Sequence, residues 1–415
     1  MDQPQCRLEE LSRASWLEFL LGARELPLYM WALILTPLLA LLVGGSFITL
    51  FICAPIPRPA RKSEKTFVTV LKDGTTSRSQ SLPNWYDDHI ARKEAARKSG
   101  RSTAETHTVE PAEVFMSVVV PAYNEEKRLG IMLDEALDFL DKAYSATAKS
   151  SKSNGSLSNG TPDTAHLQGW EILIVSDGSK DRTSEVALDF ARKHGLCEAI
   201  LELGNGTTSE KLIQHKPSGS PTRTIRVITL EENRGKGGAV THGMRHVRGA
   251  YAAFADADGA SRFHDLGRLV EGCNKVRDSQ GRAVGIGSRA HLVGSDEVVK
   301  RSFLRNALMH AFHLLLRFMT PPKTAAIADT QCGFKLFTRA ALPYIIPYMH
   351  SEGWIFDVEM LMLAEMANIP MVEVSIGWKE VKGSKLNVIW DSLGMAWGLA
   401  ILRAAWMTGV YERDF

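Results

Sequence analysis

Two carboxylates separated by one residue close an apolar run in the sequence "YAAFADADGA", residues 251–260. Side chains alternate along a strand, so Asp256 and Asp258 are expected to point the same way while Ala257 turns inward. Two oxygen ligands on one side suit a hard divalent cation such as Mg²⁺ or Mn²⁺, which keeps waters and binds phosphate oxygens. A D-x-D pair also arises by chance in ordinary turns. Its position after an apolar strand, followed by Gly259 for a tight turn, favours a metal site completed by a diphosphate.

A glycine-rich stretch, "ENRGKGGAV" at residues 232–240, is a second place where phosphate could bind. It has neither the Walker spacing nor the G-x-G-x-x-G spacing of dinucleotide sites. Glycines at a helix start still leave backbone N–H groups available to anions, and Arg234 and Lys236 add positive charge. The alternative is a simple loop that leads into a helix.

The elements that would position these residues follow from the apolar pattern. Strand-like runs at 114–120, 170–177 and 224–230, and the run that leads into Asp256, alternate with helical periodicity at 129–140, at 185–194 and after Gly235. This alternation predicts an α/β fold with a mostly parallel sheet and helices on both faces. Ligands of such sheets bind outside the carboxyl ends of the strands. Each predicted strand ends in polar or glycine-rich residues, namely 124–126, 177–179, 233–238 and 256–258.

One N-terminal segment differs in character from the rest of the chain. Residues 26–54 carry no charge over a length that suffices to cross a bilayer. Tyr29 and Trp31 stand at one end, where aromatic rings prefer the membrane interface, and Pro37 is tolerable in a membrane helix. A core helix or a cleaved signal peptide is the alternative, but the run is long for a signal peptide and follows a polar leader.

Basic residues are unequally distributed around this segment. Arg13 and Arg24 precede it, and more follow it: Arg58, Arg61, Lys62, Lys65 and Lys72. The positive-inside rule therefore predicts a cytosolic C-terminal part. The sequons that begin at Asn154, Asn159 and Asn205 would then stay unglycosylated.

Composition excludes several functional classes. A net charge of +2 gives no reason to expect nucleic acid as a partner. The five cysteines lack C-x-x-C or zinc spacing, which suits a reducing compartment and argues against a disulfide framework.

Five motifs carry a family resemblance: "VVVPAYNEE", "VSDGSKDRT", "NRGKGGAV", "FADADG" and "DTQCGFKLF", in this order. From about Met116 to the C-terminus the chain resembles the family-2 glycosyltransferases with the GT-A fold, and among them those that glucosylate dolichyl phosphate. The resemblance implies transfer of glucose from UDP-glucose to dolichyl phosphate with inversion, for assembly of the N-glycan precursor. It also implies a single-pass protein of the endoplasmic-reticulum membrane whose active site faces the cytosol, with the lipid bilayer as a further partner.

The resemblance also implies roles for individual residues. Those expected to bind the nucleotide sugar are Pro121, Ala122, Tyr123, Glu125, Asp177, Gly178, Lys236 and Asp256. Asp256 and Asp258 would hold Mg²⁺ or Mn²⁺, and together with Asp357 and Arg289 they make up the expected catalytic set. Arg301, Arg305 and Gln331 would bind the acceptor. Asp357 could orient a sugar hydroxyl or merely cap the helix that follows it.

Two segments are expected to face the membrane. Residues 300–319 form a basic amphipathic pattern with an apolar stripe at Leu304, Leu308, Ala311, Leu315 and Met319. Ordinary packing against the sheet is the alternative. Residues 388–407 carry three tryptophans and few charges, which favours an interfacial helix over a second span.

The expected organisation has five parts. They are a luminal leader (1–25), a transmembrane helix (26–55), a cytosolic linker with one helix around 88–98 (56–112), the GT-A domain (113–385) and a C-terminal interfacial helix (386–415). A mannosyltransferase that uses GDP-mannose and a non-catalytic, membrane-anchored protein that binds nucleotide sugars remain alternative functions. A processive polysaccharide synthase is disfavoured, because the chain has no Q-x-x-R-W signature and no array of spans.

Overall fold

A computed structural model describes residues 27–100, 107–145, 167–197, 222–292, 311–312, 314–381 and 388–415. The chain divides into two compact units at residue 54. Arg301 and Arg305 lie outside the described residues, as does the part of the predicted amphipathic helix from 300 to 310.

The first unit contains the predicted apolar helix, α1 (Leu28–Cys53). Within the described ranges it is the one helix long and apolar enough to cross a membrane, by length and composition. None of its most apolar window is buried, whereas a core helix would be mostly buried. The hydroxyls of Thr36 and Thr49 donate to the carbonyls of Ala32 and Gly45, at 2.6 and 2.8 Å, so these polar groups have partners inside the helix itself.

The second unit combines helices and strands. Among the described residues its α-helices include α2 (Trp85–Lys98), α3 (Leu129–Tyr144), α4 (Thr183–Lys193), α5 (Lys236–Met244), α6 (Leu266–Val276), α7 (Pro322–Ala325), α8 (Phe356–Met366) and α9 (Val388–Thr408). Residues 311–312 and 314–319 are helical as well. Its strands are β1 (Thr66–Phe67), β2 (Gln80–Ser81), β3 (Val114–Ala122), β4 (Trp170–Asp177), β5 (Arg223–Leu230), β6 (Gly249–Ala255), β7 (Val284–Ser288), β8 (Phe334–Thr338) and β9 (Met371–Ser375).

Seven of these strands form one sheet in the order β5-β4-β3-β6-β8-β7-β9. Strands β5, β4, β3 and β6 are parallel, which confirms the α/β class expected from the alternating pattern. Strand β8 runs antiparallel to both of its neighbours, β6 and β7. The polar segments that follow β3, β4, β5 and β6 therefore emerge at one edge of the sheet.

Helices cover both faces of the sheet, as predicted. Side chains of β3 alternate between two cores: Val118 and Val120 pack with α3, α4 and α6, whereas Val119 packs with α5 and α8. Because both faces are buried, the strand reads as a continuous apolar run rather than as an alternating one.

The segment after α1 differs from the linker expected from its composition. Val68 exchanges backbone hydrogen bonds with Val227 of β5, both at 2.9 Å, and Phe67 and Trp85 are buried in the core. Helix α2 is present but begins at Trp85 rather than near residue 88, with Asn84 as its N-cap. The segment contributes isolated anchor residues instead of a periodic apolar face, so its composition resembles that of a linker.

Candidate active site

Asp256 and Asp258 directly follow β6 at the edge where the parallel strands end. Oδ1 of Asp256 lies 2.6 Å from Nζ of Lys236, the first residue of α5. Asp258 accepts a hydrogen bond from the backbone N–H of Ala260 at 3.0 Å and faces Arg128, 3.7 Å away. Ala257 between them is buried as expected, but it lies in a turn beyond the end of β6, so strand alternation does not extend to it. Each carboxylate therefore has a cation beside it.

The carboxylates of this edge act on one another and on the lysine beside them. Burial, followed by repulsion from Asp256, raises the pKa of Asp258 above its ordinary value. Burial by itself lowers the pKa of Lys236, yet the carboxylates of Asp256, Asp357 and Asp258 together raise it above the ordinary value of a lysine. An additional cation would be stabilised in these surroundings.

The residues present fit a divalent metal ion. Among the described residues no group of three or more His, Cys, Asp or Glu is placed to hold a metal, so an ion at this edge would have at most the two carboxylates of Asp256 and Asp258 as protein ligands. Mg²⁺ is commonly held by one or two carboxylates and completes its shell with waters and phosphate oxygens. The donor set at this edge therefore suits an ion whose other ligands come from solvent and a bound diphosphate.

Gly333, in the motif "DTQCGFKLF", packs directly against Asp256. A Cβ atom at position 333 would lie 2.1 Å from Oδ2 of Asp256, far inside van der Waals contact. Position 333 therefore requires glycine if the Asp256 carboxylate is to keep its place.

The loops that follow β3 and β4 are joined to each other. Asn124, in a left-handed conformation (φ +53°), accepts a hydrogen bond from the backbone N–H of Lys180 at 2.8 Å. The backbone N–H of Glu125 donates to the hydroxyl of Thr183 at 2.8 Å. The carboxylate of Glu125 accepts two bonds from Arg128, at 2.7 and 2.6 Å, and so holds that guanidinium near Asp258.

Three other residues predicted to bind the nucleotide lie at the end of β3 and in the loop that follows it. Pro121 and Ala122 end β3, Ala122 is buried, and Tyr123 is 37% exposed at the edge of the sheet. The structure thus brings these residues to the edge that carries the aspartate pair, and their contact with a nucleotide stays a prediction.

Asp177, the last residue of β4, holds the glycine-rich loop. Its two carboxylate oxygens accept hydrogen bonds from the backbone N–H groups of Arg234 and Gly235, at 2.7 and 3.0 Å. Burial raises the pKa of Asp177 to about 6. Gly178 follows with φ +67°, and a Cβ there would lie 2.7 Å from the backbone nitrogen of Asn233. The predicted role of Asp177 at the uracil stays a prediction, and the structure adds this loop contact.

Asp357 contacts a buried lysine. Lys335 of β8, fully buried, donates to the Asp357 carboxylate and, at 2.7 Å, to the carbonyl of Cys332. Burial raises the pKa of Asp357, and the charge of Lys335 opposes this shift. The N-cap of α8 is Ile355 and it makes no side-chain cap bond, so the alternative role of Asp357 as a cap is not supported.

Arg289 and Gln331 make their closest contacts with residues other than the aspartate pair, although Arg289 is near enough to feel the negative charge of Asp256. The guanidinium of Arg289 makes two hydrogen bonds to the carboxylate of Asp329, at 2.7 and 2.9 Å, and lies over the ring of Trp378. Gln331 contacts the sulfur of Met395 in α9 at 2.9 Å. The predicted acceptor residue Gln331 therefore adjoins the C-terminal helix.

Similarity to known proteins identifies the family of this chain. The Glycosyl transferase family 2 model matches residues 117–205 and 208–337, more than half of the chain. The chain belongs to glycosyl transferase family 2. A protein of Saccharomyces cerevisiae named dolichyl-phosphate beta-glucosyltransferase is 36% identical over 381 residues, which cover 90% of this chain and 93% of that protein. The human protein of the same name is 39% identical over 300 residues, covering 72% and 78%.

Glucosyl-3-phosphoglycerate synthase from Mycobacterium tuberculosis, crystallised with UDP, has a TM-score of 0.43 and 14% identity, covering 70% of this chain and 80% of that one. With family membership established, the mixed sheet and its flanking helices are the GT-A fold that the motifs led us to expect.

Sequence reasoning missed three side chains of this family-2 glycosyltransferase. Arg128 and Lys335 contact predicted site residues, and Glu64 contacts the glycine-rich loop through Arg234. Lys335 had one visible signal, since a lysine inside the apolar run "CGFKLF" must find a partner when it is buried.

Proposed function

We propose that this family-2 glycosyltransferase moves glucose from UDP-glucose to dolichyl phosphate with inversion, producing dolichyl β-D-glucosyl phosphate for N-glycan precursor assembly. The observation that carries the proposal is the 36% identity, over 90% of the chain, to a yeast protein named for this activity. Human, fruit-fly and slime-mould proteins with the same name, at 38–40% identity, support it.

The donor half of the site would lie at the strand ends. Glu125 and Asp177 would position the nucleotide, and Lys236 would approach the diphosphate. Asp256 and Asp258 would hold Mg²⁺ or Mn²⁺, which when bound neutralises charge that develops on a departing diphosphate. The pairing of Lys236 with Asp256 at 2.6 Å supports this role of the lysine.

The acceptor half needs little base catalysis. A phosphate monoester is already anionic, so it can attack the anomeric carbon without a strong general base, and attack opposite the leaving group inverts the configuration. Catalysis would then rest on positioning and charge. Asp357, oriented by Lys335, would accept a hydrogen bond from a sugar hydroxyl, and Arg289 with Arg301 and Arg305 would attract the acceptor phosphate.

Two parts of the chain would contact the membrane. Helix α1 would span the bilayer of the endoplasmic reticulum, with the second unit in the cytosol. Helix α9 buries Leu399 and Leu402 but exposes Trp390, Leu393 and Trp397 at helical spacing, which supports an interfacial position. Its contact with Gln331 would connect that surface with the acceptor region.

The proposal is tested with membranes that contain the full chain. They are incubated with dolichyl phosphate and either labelled UDP-glucose or labelled GDP-mannose, and the lipids are extracted and counted. We expect labelled lipid from UDP-glucose alone, and none from membranes carrying Asp256→Asn. Label from GDP-mannose alone would replace this proposal with mannose transfer. Binding of a nucleotide sugar without labelled lipid would favour the non-catalytic alternative.

A further inference from the structure

Residues 57–64, here called the strap, lie against residues 231–238. These residues include most of the glycine-rich stretch and are called the glycine-rich loop below. The guanidinium of Arg234 donates to the carbonyls of Arg58 and Pro59, at 2.6 and 2.9 Å, and to the carboxylate of Glu64 at 2.5 Å. The side chains of Arg234 and Glu64 are 7% and 1% exposed. Charge-assisted bonds that are shielded from water are among the stronger polar contacts in proteins.

Glu64 contacts the loop at more than one point. One carboxylate oxygen accepts from the backbone N–H of Glu231, at 3.2 Å, and the other accepts from the backbone N–H of Arg61 as well as from Arg234. The carbonyl oxygen of Glu64 lies 2.8 Å from Nε2 of His242 in α5. A single strap residue therefore contacts the beginning of the loop, its central arginine and the helix that follows.

Arg58 joins the loop to a second segment. Its guanidinium bonds the carboxylate of Glu352 at 2.7 Å and the carbonyl of Asn233 at 3.3 Å. The carbonyl of Glu352 accepts in turn from the backbone N–H of Gly238 at 3.0 Å. The strap thus holds both ends of the loop in place.

The loop needs such external contacts because its own residues provide few. Gly235 has φ +84°, and glycine at this and the neighbouring positions leaves the backbone conformationally free. Asp177 bonds two backbone N–H groups from the sheet side, and the strap binds Arg234 from the other side. Lys236 extends from between these two anchors to Asp256.

We propose that the strap is a positioning element of the donor site, in which Glu64 and Arg58 hold the glycine-rich loop so that Lys236 reaches the donor diphosphate. This inference rests on the proposed function. It assigns donor affinity in part to residues that precede the family match, which begins at residue 117. The strap residues do not touch the donor themselves and act through Arg234 and the loop.

The test uses the full chain in membranes and the variant Glu64→Gln, which removes the charge and keeps the size of the side chain. We expect the KM for UDP-glucose and the Kd for UDP to rise about tenfold, since a buried charged hydrogen bond is lost. The KM for dolichyl phosphate and the Kd for uridine should not change, because neither depends on contact between Lys236 and a diphosphate. In an Arg234→Met background the same substitution should add little, since the two residues act as one unit.

Glu171→Gln is the matched control. Glu171 is also a fully buried glutamate that bonds an arginine, Arg248, but it lies at the start of β4, away from the strand ends. This variant should lower the melting temperature and leave the Kd for UDP unchanged. Arg58→Ala changes a more exposed side chain and is a second variant that should fold. It should also raise the KM for UDP-glucose and the Kd for UDP.

Three results would separate the possible failures. UDP affinity at the wild-type level in both Glu64→Gln and Arg58→Ala would overturn the strap proposal. Equal losses for uridine and UDP, together with a fall in melting temperature like that of Glu171→Gln, would make Glu64 merely structural and would also overturn it. A wild-type chain that binds no UDP would overturn the proposed function instead.

Discussion

Asp256 and Asp258 repel each other, and each is compensated by a cation from a different segment. Lys236 lies beside Asp256, and Arg128 faces Asp258. Glu125 in turn accepts two hydrogen bonds from Arg128. The balance means that a neutral substitution at one aspartate removes a ligand without leaving an isolated buried carboxylate. Substitutions here should therefore affect chemistry more than folding.

Asp258→Asn should abolish glucose transfer while expression and membrane insertion stay normal. Asparagine keeps an oxygen that can accept from Ala260 but is a poor ligand for a hard divalent cation. Labelled-lipid formation is measured beside a thermal melt, with Asp278→Asn, in a surface turn, as the matched control. Near-normal turnover in Asp258→Asn would contradict the metal assignment.

The affinity for UDP-glucose should fall as the pH decreases through about 6. Burial raises the pKa of Asp177 to about 6, so its carboxylate is ionised above this pH and accepts from both loop N–H groups. Below it, the protonated group is a weaker acceptor and the glycine-rich loop loses one of its anchors. The Kd is measured between pH 5 and 8 without acceptor.

The matched variant for this prediction is Asp177→Asn, which cannot titrate. Its affinity should be low and nearly independent of pH in the same range. If the affinity of Asp177→Asn for UDP-glucose falls at low pH as it does in the wild type, the titration belongs to another group.

The sequence predicts some of the site residues and cannot predict others. Asp256, Asp258 and Lys236 are visible because each belongs to a short local pattern at a strand end. Glu64 is not visible, because its partner Arg234 lies 170 residues away along the chain. At Asp357 the local sequence allowed a sugar contact or a cap. The structure shows no cap bond and pairs Asp357 with the distant Lys335, and the sugar contact stays a prediction.

At the scale of elements, strands covered on both faces were predictable almost to the residue. β3 and β4 have nearly continuous apolar runs because helices lie on each side, whereas β5 mixes apolar residues with threonines and the fully buried Arg226. β7, β8 and β9 were not predicted. β8 is a short antiparallel strand, β7 carries Gly285 and Gly287, and β9 at the sheet edge is largely half-exposed.

Trp85→Ala should destabilise the second unit by about 3–5 kcal/mol. Trp85 is 2% exposed and donates from its indole N–H to the carbonyl of Met244, so the variant loses both packing and a hydrogen bond. Trp397→Ala is the control, since Trp397 is 65% exposed. Thermal or denaturant unfolding of both variants is compared with the wild type. Equal stability of the two variants would restore the interpretation of residues 56–112 as a linker.

At the scale of the whole molecule, the basic residues that follow α1 have a second use. Arg58, Arg61 and Lys65 were interpreted as orientation signals, and in the folded chain all three pair with carboxylates of the second unit. Surface pairs of this kind contribute little stability individually. The same charges can therefore bias insertion during synthesis and find partners after folding.

The sequons at Asn154, Asn159 and Asn205, which lie outside the described residues, should stay unmodified in the native protein. A cytosolic second unit never meets the luminal glycosylation machinery. The variant Glu10→Asn creates a sequon in the leader, which should be glycosylated if that leader is luminal. Mobility is compared before and after endoglycosidase treatment. A shift of the wild-type protein would reverse the proposed topology.

The contact between Gly333 and Asp256 has a consequence for how natural variants of this protein should be judged. Glycine-to-alanine changes usually rank as mild, but a methyl group at position 333 would meet the Asp256 carboxylate at 2.1 Å. We expect Gly333→Ala to be as inactive as Asp258→Asn in the labelled-lipid assay, whereas Gly130→Ala, with open space around it in α3, should be active. An active Gly333→Ala would show that Asp256 can move. If it is inactive, an allele that preserves every reactive group of the enzyme would still be a loss-of-function allele.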